Sequence, residues 1–403
     1  MALGATYEGF ERSGAGAPAE EDMHFALQQC NQSIKHIFQL KDSSLTSEKS
    51  VEAMGCTITA AVLFTIFNCL QGHTAQAIKH IRSGLRVLQA LESYQQLHGK
   101  TPRPAFPISL TQLRSLLTTL YAQVRSMIND EALQVWDHDP LESSIEPVTG
   151  YLSISEAHYH VETLFNNTLA FLQKTTMHPL LSIEQIKAAE ARHDLLSRAL
   201  RASCKALDVF VARQEADGPD EKAIAVLRLH HILLSIRLEI GAFQENRREA
   251  AFDQLEPSLK KMLEYSKFII EGYGMNEAAE KNPIICSSGL GVVMPLHMVA
   301  ARCRNRAVRK EAVDLLLRAR RRDGLWDSTL AGKIASTIIE LEEEAGGLVD
   351  GDSELDCAPR VAEDSRVREV KIHFDGDRAA HLVFTTVGQW RGNQVGSQRV
   401  IEW

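Results

Sequence analysis

Apolar residues recur every three or four positions through most of the first 345 residues of this chain. This spacing places the apolar side chains of each stretch on one face, as in an amphipathic helix. Clear examples are Leu27, Ile34, Ile37 and Phe38, and again Ile78, Ile81, Leu85 and Leu88. The periodicity predicts an all-α, multi-helix body built from stacked helix pairs.

Prolines, glycines and polar turns divide the helical pattern. The predicted helices cover roughly 47–70, 109–128, 155–173, 182–214, 221–243, 255–270, 295–321 and 328–344. The breakers between them are TPRPAFP at 101–107, DHDPLESSIEPVTG at 137–150 and ADGPD at 216–220. The helical stretch ALGATYEGFE begins at residue 2 without a capping residue, which predicts a chain that starts inside an element.

Two segments of the helical body are similar to each other. NQSIKHI at 31–37 and AQAIKHI at 75–81 are offset by 44 residues, which suits a repeated helix-pair unit. They are either structurally equivalent helices or two instances of a common amphipathic pattern.

The chain changes character after residue 345. The run from Glu340 to Asp364 holds ten acidic residues and one basic residue, Arg360, and predicts a solvated linker. Farther on, apolar and polar residues alternate between Val370 and Phe374, Asp375-Gly376 supplies a turn, and residues 381–387 offer a second strand. The predicted organisation is a helical domain over 1–345, an acidic, glycine-containing linker over 346–365, and a small C-terminal β-hairpin within 366–403 that packs on the helical body.

Composition restricts the class of function. The net charge of −8 opposes binding of nucleic acid by the bulk surface. The seven cysteines are odd in number and widely spaced, which indicates reduced thiols. The longest apolar candidate, Ile58 to Leu70, is interrupted by Thr59, Thr65 and Asn68, so we expect no membrane-spanning segment and no secretion signal.

The densest cluster of potential metal ligands is EAHYHVE at 156–162. Glu156 and His160 share one helix face, and His158 and Glu162 share another. Each face offers two ligands, whereas zinc needs three or four, so the pattern favours a surface helix with polar faces.

Other histidines and cysteines lack a spacing typical of a metal site. Cys286, Cys303 and His297 form no C-x-x-C pair, and Cys303 is predicted to be a core cysteine on a helix. Adjacent helical residues point about 100° apart, so one of His230 and His231 is predicted to face the core. CSSGLG at 286–291 lacks a preceding strand and a following lysine, which argues against nucleotide binding.

We therefore predict no catalytic residue, no metal site and no cofactor, and we leave the ligand-binding residues open. A pocket could draw on six side chains, namely His158, His160, His230, His231, His297 and Cys303.

A basic stretch near the end of the helical body is the one region that suits nucleic acid or a nuclear address. It consists of Arg302, Arg304, Arg306, Arg309, Lys310, Arg318, Arg320, Arg321 and Arg322. Its residues spread around more than one helix face, with Glu311 and Asp314 between them, so a solvated helix exterior is favoured. The break at Asp323-Gly324 and the caps Asp327 and Ser328 predict that Trp326 is a buried anchor.

Several blocks resemble the effector region of fungal zinc-cluster transcription factors. They are MPLHMVAARCRNRAVRKEAVDLL and RRRDGLWDS within 294–328, LFTIFNCLQGHTAQAIKHIRSGLRVLQ at 63–89, the opening ALGATYEGFE, and AHLVFTTV with RVIEW near the end. The resemblance implies a helical regulator that senses metabolites or binds partners, acting in the nucleus, often on a biosynthetic gene cluster.

The chain departs from that family in one respect. The family's DNA-binding module uses six closely spaced cysteines to hold two zinc ions, and the cysteines here are not so spaced. Three explanations stay open: a truncated gene product, a co-regulator that acts through a DNA-binding partner, or a fold recruited for another task. That other task would be an enzyme or small-molecule-binding protein of a biosynthetic pathway, or a pure interaction scaffold of stacked helices. The resemblance thus predicts a transcriptional regulator or co-regulator located in the nucleus, with the cytoplasm as a second location.

Overall fold

The computed structural model describes residues 47–98, 109–127, 141–177, 182–213, 220–241, 249–271, 285–287, 289–346, 361–375 and 378–403, with a few isolated residues before 47. The predictions on ALGATYEGFE, NQSIKHI, TPRPAFP, ADGPD, the turn at Asp375-Gly376 and most of the linker fall largely outside these residues.

The described chain is all-α with a small C-terminal sheet, as the periodicity predicts. Its helices are α1 (Ser47–Gln71), α2 (Thr74–His98), α3 (Leu110–Met127), α4 (Ile154–Met177), α5 (Ile183–Ala212), α6 (Glu221–Gly241), α7 (Glu256–Glu271), α8 (Val293–Arg302), α9 (Arg306–Ala319), α10 (Ser328–Gly346) and α11 (Val387–Arg391), with 3-10 turns at Glu249–Leu255 and Glu363–Ser365. Its strands are β1 (Ile285–Ser287), β2 (Arg321–Asp323), β3 (Trp326–Asp327), β4 (Val367–Phe374), β5 (Ala379–Thr386) and β6 (Ser397–Glu402).

Most long helices pack against their neighbours in sequence. Helix α1 packs on α2, α4 on α5, and α6 on α7. Helix α8 lies at the centre of the second half of the body, where it contacts α6, α7, α9 and α10. Tyr121, Leu196 and Phe384 lie in one continuous apolar core shared by the helices and the C-terminal sheet.

Within the described residues, the stretch Val51–Gln71 of α1 is long and apolar enough to cross a membrane. It packs against α2 and α3. Its Ile58 and Val62 belong to the common core, and the Thr65 hydroxyl donates to the carbonyl of Ala61 at 2.7 Å. The face that carries Ile58 and Val62 packs into the core, and 39% of the most apolar part of the stretch is buried.

The prediction of a single helix over 295–321 is wrong. The chain leaves the helical conformation at Cys303 and re-enters it after Asn305, whose side-chain oxygen accepts from the N–H of Val308 at 3.2 Å. An asparagine in this position is a favourable N-cap, and it starts α9 as a separate helix. After α9, residues 321–323 form β2 instead of continuing the helix.

A three-stranded sheet follows α9. Strand β1 pairs in parallel with β2, and β2 pairs antiparallel with β3. A short strand therefore does precede the CSSGLG glycines, contrary to the sequence prediction. The strands are only two or three residues long, so they contain no periodic apolar pattern that would reveal them.

The turn between β2 and β3 joins several elements through buried polar bonds. The Asp323 carboxylate accepts from the N–H groups of Val292 and Val293, at 2.8 and 2.9 Å, and so caps α8. A Cβ on Gly291 would lie 2.0 Å from Asp323 Cγ. Gly324 adopts a φ of +64°, and the following N–H of Leu325 donates to the Gln123 side chain.

Trp326 is buried, as the sequence predicts. Its indole N–H donates to the Ser126 hydroxyl at 3.1 Å, and its ring lies 5.4 Å from that of His297. The neighbouring Asp327 carboxylate accepts from the N–H groups of Thr329 and Leu330 and begins α10. The residue thus anchors the β2–β3 turn to α3 and α8.

The prediction that the basic stretch forms a solvated exterior is wrong for most of its arginines. Arg309, Arg321 and Arg322 are buried, and the guanidinium groups of Arg302 and Arg304 are also largely enclosed. Arg322 donates to the backbone carbonyls of Cys69 and Leu70 at the end of α1.

Two fully buried carboxylates, Glu249 and Glu342, explain why Arg302, Arg304 and Arg309 turn inward. Arg304 and Arg309 donate to one oxygen of Glu342 at 2.8 and 2.7 Å, and Arg302 donates to Glu249 at 2.9 Å. We call these five residues the buried ion network. Burial disfavours the charge on Glu342, but Arg304 and Arg309, with the N–H of Val367, hold its pKa below the usual range. The acidic run from Glu340 to Asp364 predicted that Glu342 is solvated. The structure shows instead that Glu342 is buried.

The buried ion network also positions the C-terminal sheet. The other oxygen of Glu342 accepts from the N–H of Val367 at 2.8 Å, and Arg302 donates to the carbonyls of Val367 and Arg368. Arg366 forms two bonds of 3.0 Å to the carboxylate of Asp253. The first strand of the sheet is thus fixed to the helical body by charged groups on both sides of its start.

The C-terminal sheet itself has three antiparallel strands in the order β4-β5-β6. The predicted hairpin corresponds to β4 and β5, and β6 pairs with the free edge of β5 along Ser397–Glu402. Strands β4 and β6 contact α10, which brings the sheet against the core.

Replacing Trp326 with Ala should lower the free energy of unfolding by about 3–5 kcal/mol, because it empties a large buried site. Trp326→Phe keeps most of the ring and loses the indole bond to Ser126, so it should cost less. Urea unfolding of both variants measures the difference. An unchanged midpoint for Trp326→Ala would show that this residue is not an anchor.

Replacing Glu342 with Gln should lower the free energy of unfolding by about 3–5 kcal/mol, because it removes the charge of the buried carboxylate that Arg304 and Arg309 share. Glu343→Gln is the matched control, since Glu343 pairs with Arg306 at the surface, where the side chains are 41% and 75% exposed. The control should cost less than about 1 kcal/mol. Equal losses in the two variants would contradict the role of the buried ion network.

Candidate ligand cavity

A cavity of about 270 Å³ lies between the helical body and the first strand of the C-terminal sheet. Helices α3, α4, α6, α8 and α10 form its walls, together with Trp326, and β4 closes one side. Its volume is slightly below the roughly 300–1,000 Å³ typical of small-molecule sites. The cavity therefore suits a small ligand.

Most of the cavity wall is apolar. The apolar lining comprises Met127, Leu169, Leu172, Ile236, Ile240, Phe252, Met294, Met298, Ala301, Trp326, Ile334, Ile338, Val370 and Ile372. Methionine side chains, which are unbranched and flexible, adapt to ligands of varied shape. This wall favours the body of an apolar molecule.

The charged side chains of the lining are mostly cationic. Four arginines, Arg125, Arg237, Arg302 and Arg368, line the cavity with one carboxylate, Glu369. Arg302 is paired with Glu249, so two carboxylates stand against four guanidinium groups. Guanidinium groups therefore outnumber carboxylates among the described residues of the lining.

His297 adds a neutral polar group to the wall. Its Nδ1–H donates to the carbonyl of Ala331 at 3.0 Å. Burial, with Arg302 and Arg237 nearby, lowers its pKa to about 4. The ring is therefore neutral near pH 7, with Nε2 as a hydrogen-bond acceptor.

His297 is the only one of the six sequence candidates in the lining of this cavity. His160 and His231 instead meet around Ser203. The Ser203 hydroxyl lies 2.6 Å from the Tyr151 hydroxyl and 2.9 Å from His231 Nε2, and Tyr151 also contacts His160 Nδ1 at 2.9 Å. We call these four residues the Tyr151 cluster.

The pairing of Ser203 with His231 resembles a nucleophile and its base. Ser203 is fully buried, however, and the Tyr151 hydroxyl occupies the other side of its oxygen. Burial raises the pKa of Tyr151 to about 12 and lowers that of His231 to about 4. All these groups are uncharged near pH 7, and the cluster cross-links α4, α5 and α6.

The remaining histidines of the prediction have structural contacts. His230 Nε2–H donates to the carbonyl of Gly291 at 2.8 Å, and His158 lies 3.7 Å from Glu162. The prediction that only one of His230 and His231 faces the core is wrong, since both are buried. Helix α6 is enclosed on several sides by α4, α5, α7 and α8. The side chains of both histidines therefore reach the interior, although they point in different directions from the helix.

The cysteines are free thiols where the structure describes them. Cys303 is buried at the end of α8, and Cys286 lies on β1. Burial raises the pKa of both thiols, that of Cys286 to about 11. Among the described residues, no three side chains of the metal-binding types come together.

Sequence reasoning missed the residues that give the cavity its charge. Arg125 and Arg237 lie on the helices α3 and α6, outside the basic stretch on which the prediction concentrated. A cation within a mostly apolar helix, such as Arg237 in ILLSIRLEIG, was the available signal. Ser203 and Tyr151 had no signal, because their partners are distant in sequence.

Together, the fold and the cavity define a helical domain with an internal site of small-molecule size. No known family profile matches the chain. No solved structure matches it either.

A curated protein is similar to the chain over most of its length. It is the Aspercryptin biosynthesis cluster-specific transcription regulator atnN of Emericella nidulans, which is 24% identical over 437 residues. The matched region covers 90% of this chain and 69% of that protein. The similarity supports the resemblance to fungal transcription factors and a regulatory role.

Lowering the pH should destabilise the protein through its buried histidines. The pKa values of His230 and His231 are about 4 in the folded state, against about 6.5 in an unfolded chain. Below pH 6.5 the unfolded state therefore binds protons that the folded state does not. The contribution of the two neutral histidines to the free energy of unfolding is fully present above about pH 6.5 and is lost between about pH 6.5 and 4. The loss is on the order of 3 kcal/mol for each histidine.

The free energy of unfolding of His230→Gln, measured between pH 7 and 4.5, should fall less steeply than that of the wild type. His381→Gln, at an exposed histidine, is the control and should retain the wild-type slope. If the stability of His230→Gln fell with pH as steeply as that of the wild type, His230 would not be a source of the pH dependence.

Proposed function

We propose that this chain is a transcription regulator of a fungal biosynthetic gene set and that it acts in the nucleus through a protein partner. The observation that carries the proposal is the similarity to a cluster-specific transcription regulator over 90% of the chain. The blocks at 63–89 and 294–328, which resemble the effector region of that class, supply elements of the core and of the buried ion network.

The need for a partner is supported by where the arginines lie. Binding to DNA depends on cations that reach phosphate groups. Arg302, Arg304 and Arg309 are committed to buried carboxylates, and Arg322 to the end of α1. With a net charge of −8, the chain offers little attraction for a nucleic-acid backbone.

A second candidate function is a small-molecule-binding protein or an enzyme of a biosynthetic pathway. The cavity beside β4 favours it, since such a site is what a metabolite would occupy. In the described lining, His297 is the one residue of the general acid–base type other than Glu369, and its Nδ1 is committed to Ala331. The regulator therefore remains the preferred candidate.

Deletion of the gene in the source fungus should lower the transcripts of a set of biosynthetic genes, and the wild-type gene should restore them. Transcript and metabolite profiles of the deletion strain provide the measurement. Normal transcripts together with accumulation of one pathway intermediate would contradict the regulator and favour the enzyme.

The role of the partner is tested with the purified 403-residue chain and promoter DNA of the affected genes. We expect a dissociation constant weaker than about 10⁻⁶ M at physiological salt, as for non-specific binding. In cells, crosslinking of the chain to the same promoters should depend on a second protein. Sequence-specific nanomolar binding by the chain alone would contradict this part of the proposal.

A further inference from the structure

We propose that the cavity beside β4 binds a neutral, hydroxylated aromatic molecule, with its ring among the apolar side chains and its hydroxyl on Nε2 of His297. This inference rests on the proposed function and deepens it, since such a molecule would be the small-molecule effector of the regulator.

His297 is a partly accessible residue in an otherwise enclosed part of α8. Leu296 and Met298 on either side of it are buried, and so is Ala301 one turn farther on. The side chain of His297 lines the cavity, so its accessible surface faces that space. The ring therefore offers a polar contact to a molecule in the cavity.

The hydrogen bond that His297 makes to α10 determines which of its nitrogens can accept. A backbone carbonyl only accepts, so the bond of 3.0 Å to Ala331 places the ring proton on Nδ1. Burial lowers the pKa of His297 to about 4, so the ring carries no second proton near pH 7. Nε2 therefore presents a lone pair. Among the described residues it has no hydrogen-bond partner, and they do not enclose it completely.

The other side-chain acceptors of the described lining are already in use. The Ser126 hydroxyl accepts from the indole N–H of Trp326, and the oxygen of Gln173 accepts from a guanidinium group. Glu369 also has interactions of its own. Nε2 of His297 is thus the acceptor that a ligand can engage.

A neutral acceptor of this kind selects the polar group of the ligand. A hydroxyl donates its proton to the Nε2 lone pair and stays uncharged. A carboxylate has no proton to donate at pH 7, and its negative charge would face the lone pair. An ammonium group can donate, but its charge would lose its water shell among apolar side chains, which is costly. The site therefore favours an alcohol or a phenol over either ion.

The apolar wall selects the body of the ligand. The lining contains Met127, Met294 and Met298, and Trp326 contributes an aromatic ring. Thioether sulfurs and aromatic rings both make favourable contacts with an aromatic ligand. A cavity of about 150 Å³ with an apolar wall can hold benzene, so the volume of about 270 Å³ here leaves room for two fused rings.

The test uses three probes that share a naphthalene ring and differ in one substituent: 2-naphthol, 2-methoxynaphthalene and 2-naphthoate. Isothermal titration of the wild-type protein at pH 7 should give the tightest binding for 2-naphthol. We expect its affinity to be about tenfold higher than that of 2-methoxynaphthalene, which lacks the donor, and the weakest binding for 2-naphthoate. Equal affinities of 2-naphthol and 2-methoxynaphthalene, a preference for 2-naphthoate, or no binding of any probe would overturn the inference.

Variants locate the site. His297→Phe keeps a ring and removes the acceptor, so it should lower 2-naphthol affinity about tenfold and leave 2-methoxynaphthalene binding near its wild-type value. Ala301→Leu, which extends a buried wall residue into the cavity, should weaken both probes. His381→Phe, at an exposed histidine of β5, is the matched control and should bind all probes like the wild type.

His297→Asn is a second variant at the same position. Its amide can still donate to Ala331 but has no atom at the place of Nε2, so it should also lose the preference for 2-naphthol. Thermal midpoints and circular dichroism confirm that each variant is folded. The comparison of probes on the wild-type protein stands even if both variants fail to fold.

An unchanged preference for 2-naphthol in a folded His297 variant would overturn the inference. A preference for 2-naphthol together with normal transcripts in the deletion strain would refute the regulator and leave the site intact. Lowered transcripts without that preference would refute the site alone.

Discussion

Two carboxylates, those of Glu249 and Glu342, lie inside the protein with no exposure to solvent. A buried anion is stable only where cations and hydrogen-bond donors replace the water that it loses. Arg302, Arg304 and Arg309 provide the cations, and the backbone of β4 provides a donor at Val367. These groups come from the 3-10 turn before α7, from α8, the α8–α9 junction, α9, α10 and the C-terminal sheet. Their charges are compensated in one arrangement of these elements, so the network fixes how the second half of the molecule assembles.

The cavity is a consequence of that arrangement. Strand β4 begins at the buried ion network and then runs along the open side of the helical body, where Val370 and Ile372 complete the wall. Arg302 takes part in both features, since it lines the cavity and holds the start of the strand. A change in the cavity therefore acts directly on the residues that dock the sheet.

The sequence predicts the long helices well because each has a repeating apolar face; α6, for example, ends within two residues of its predicted limit at 243. Trp326 was predictable because turn and capping residues surround it. The short strands β1 to β3 carry no such repeat, and the break at Asn305 has a single capping residue as its signal. Glu342 and the inward arginines could not be assigned, because a charged residue is solvated or buried according to partners that lie far away in the chain. The cavity depends on the same long-range pairing, so its lining was not predictable either.

The mutual compensation of charges in the buried ion network has an evolutionary consequence. A single substitution leaves an unpaired charge inside the protein, whereas an apolar replacement of the whole set is often neutral or even stabilising. Single substitutions at these sites are therefore destabilising, and only a simultaneous replacement of the whole set is tolerated. Among divergent relatives, Glu249, Glu342, Arg302, Arg304 and Arg309 should be inherited as a block, either all ionic or all replaced together, and a lineage that lost the terminal sheet would be the place to find them replaced.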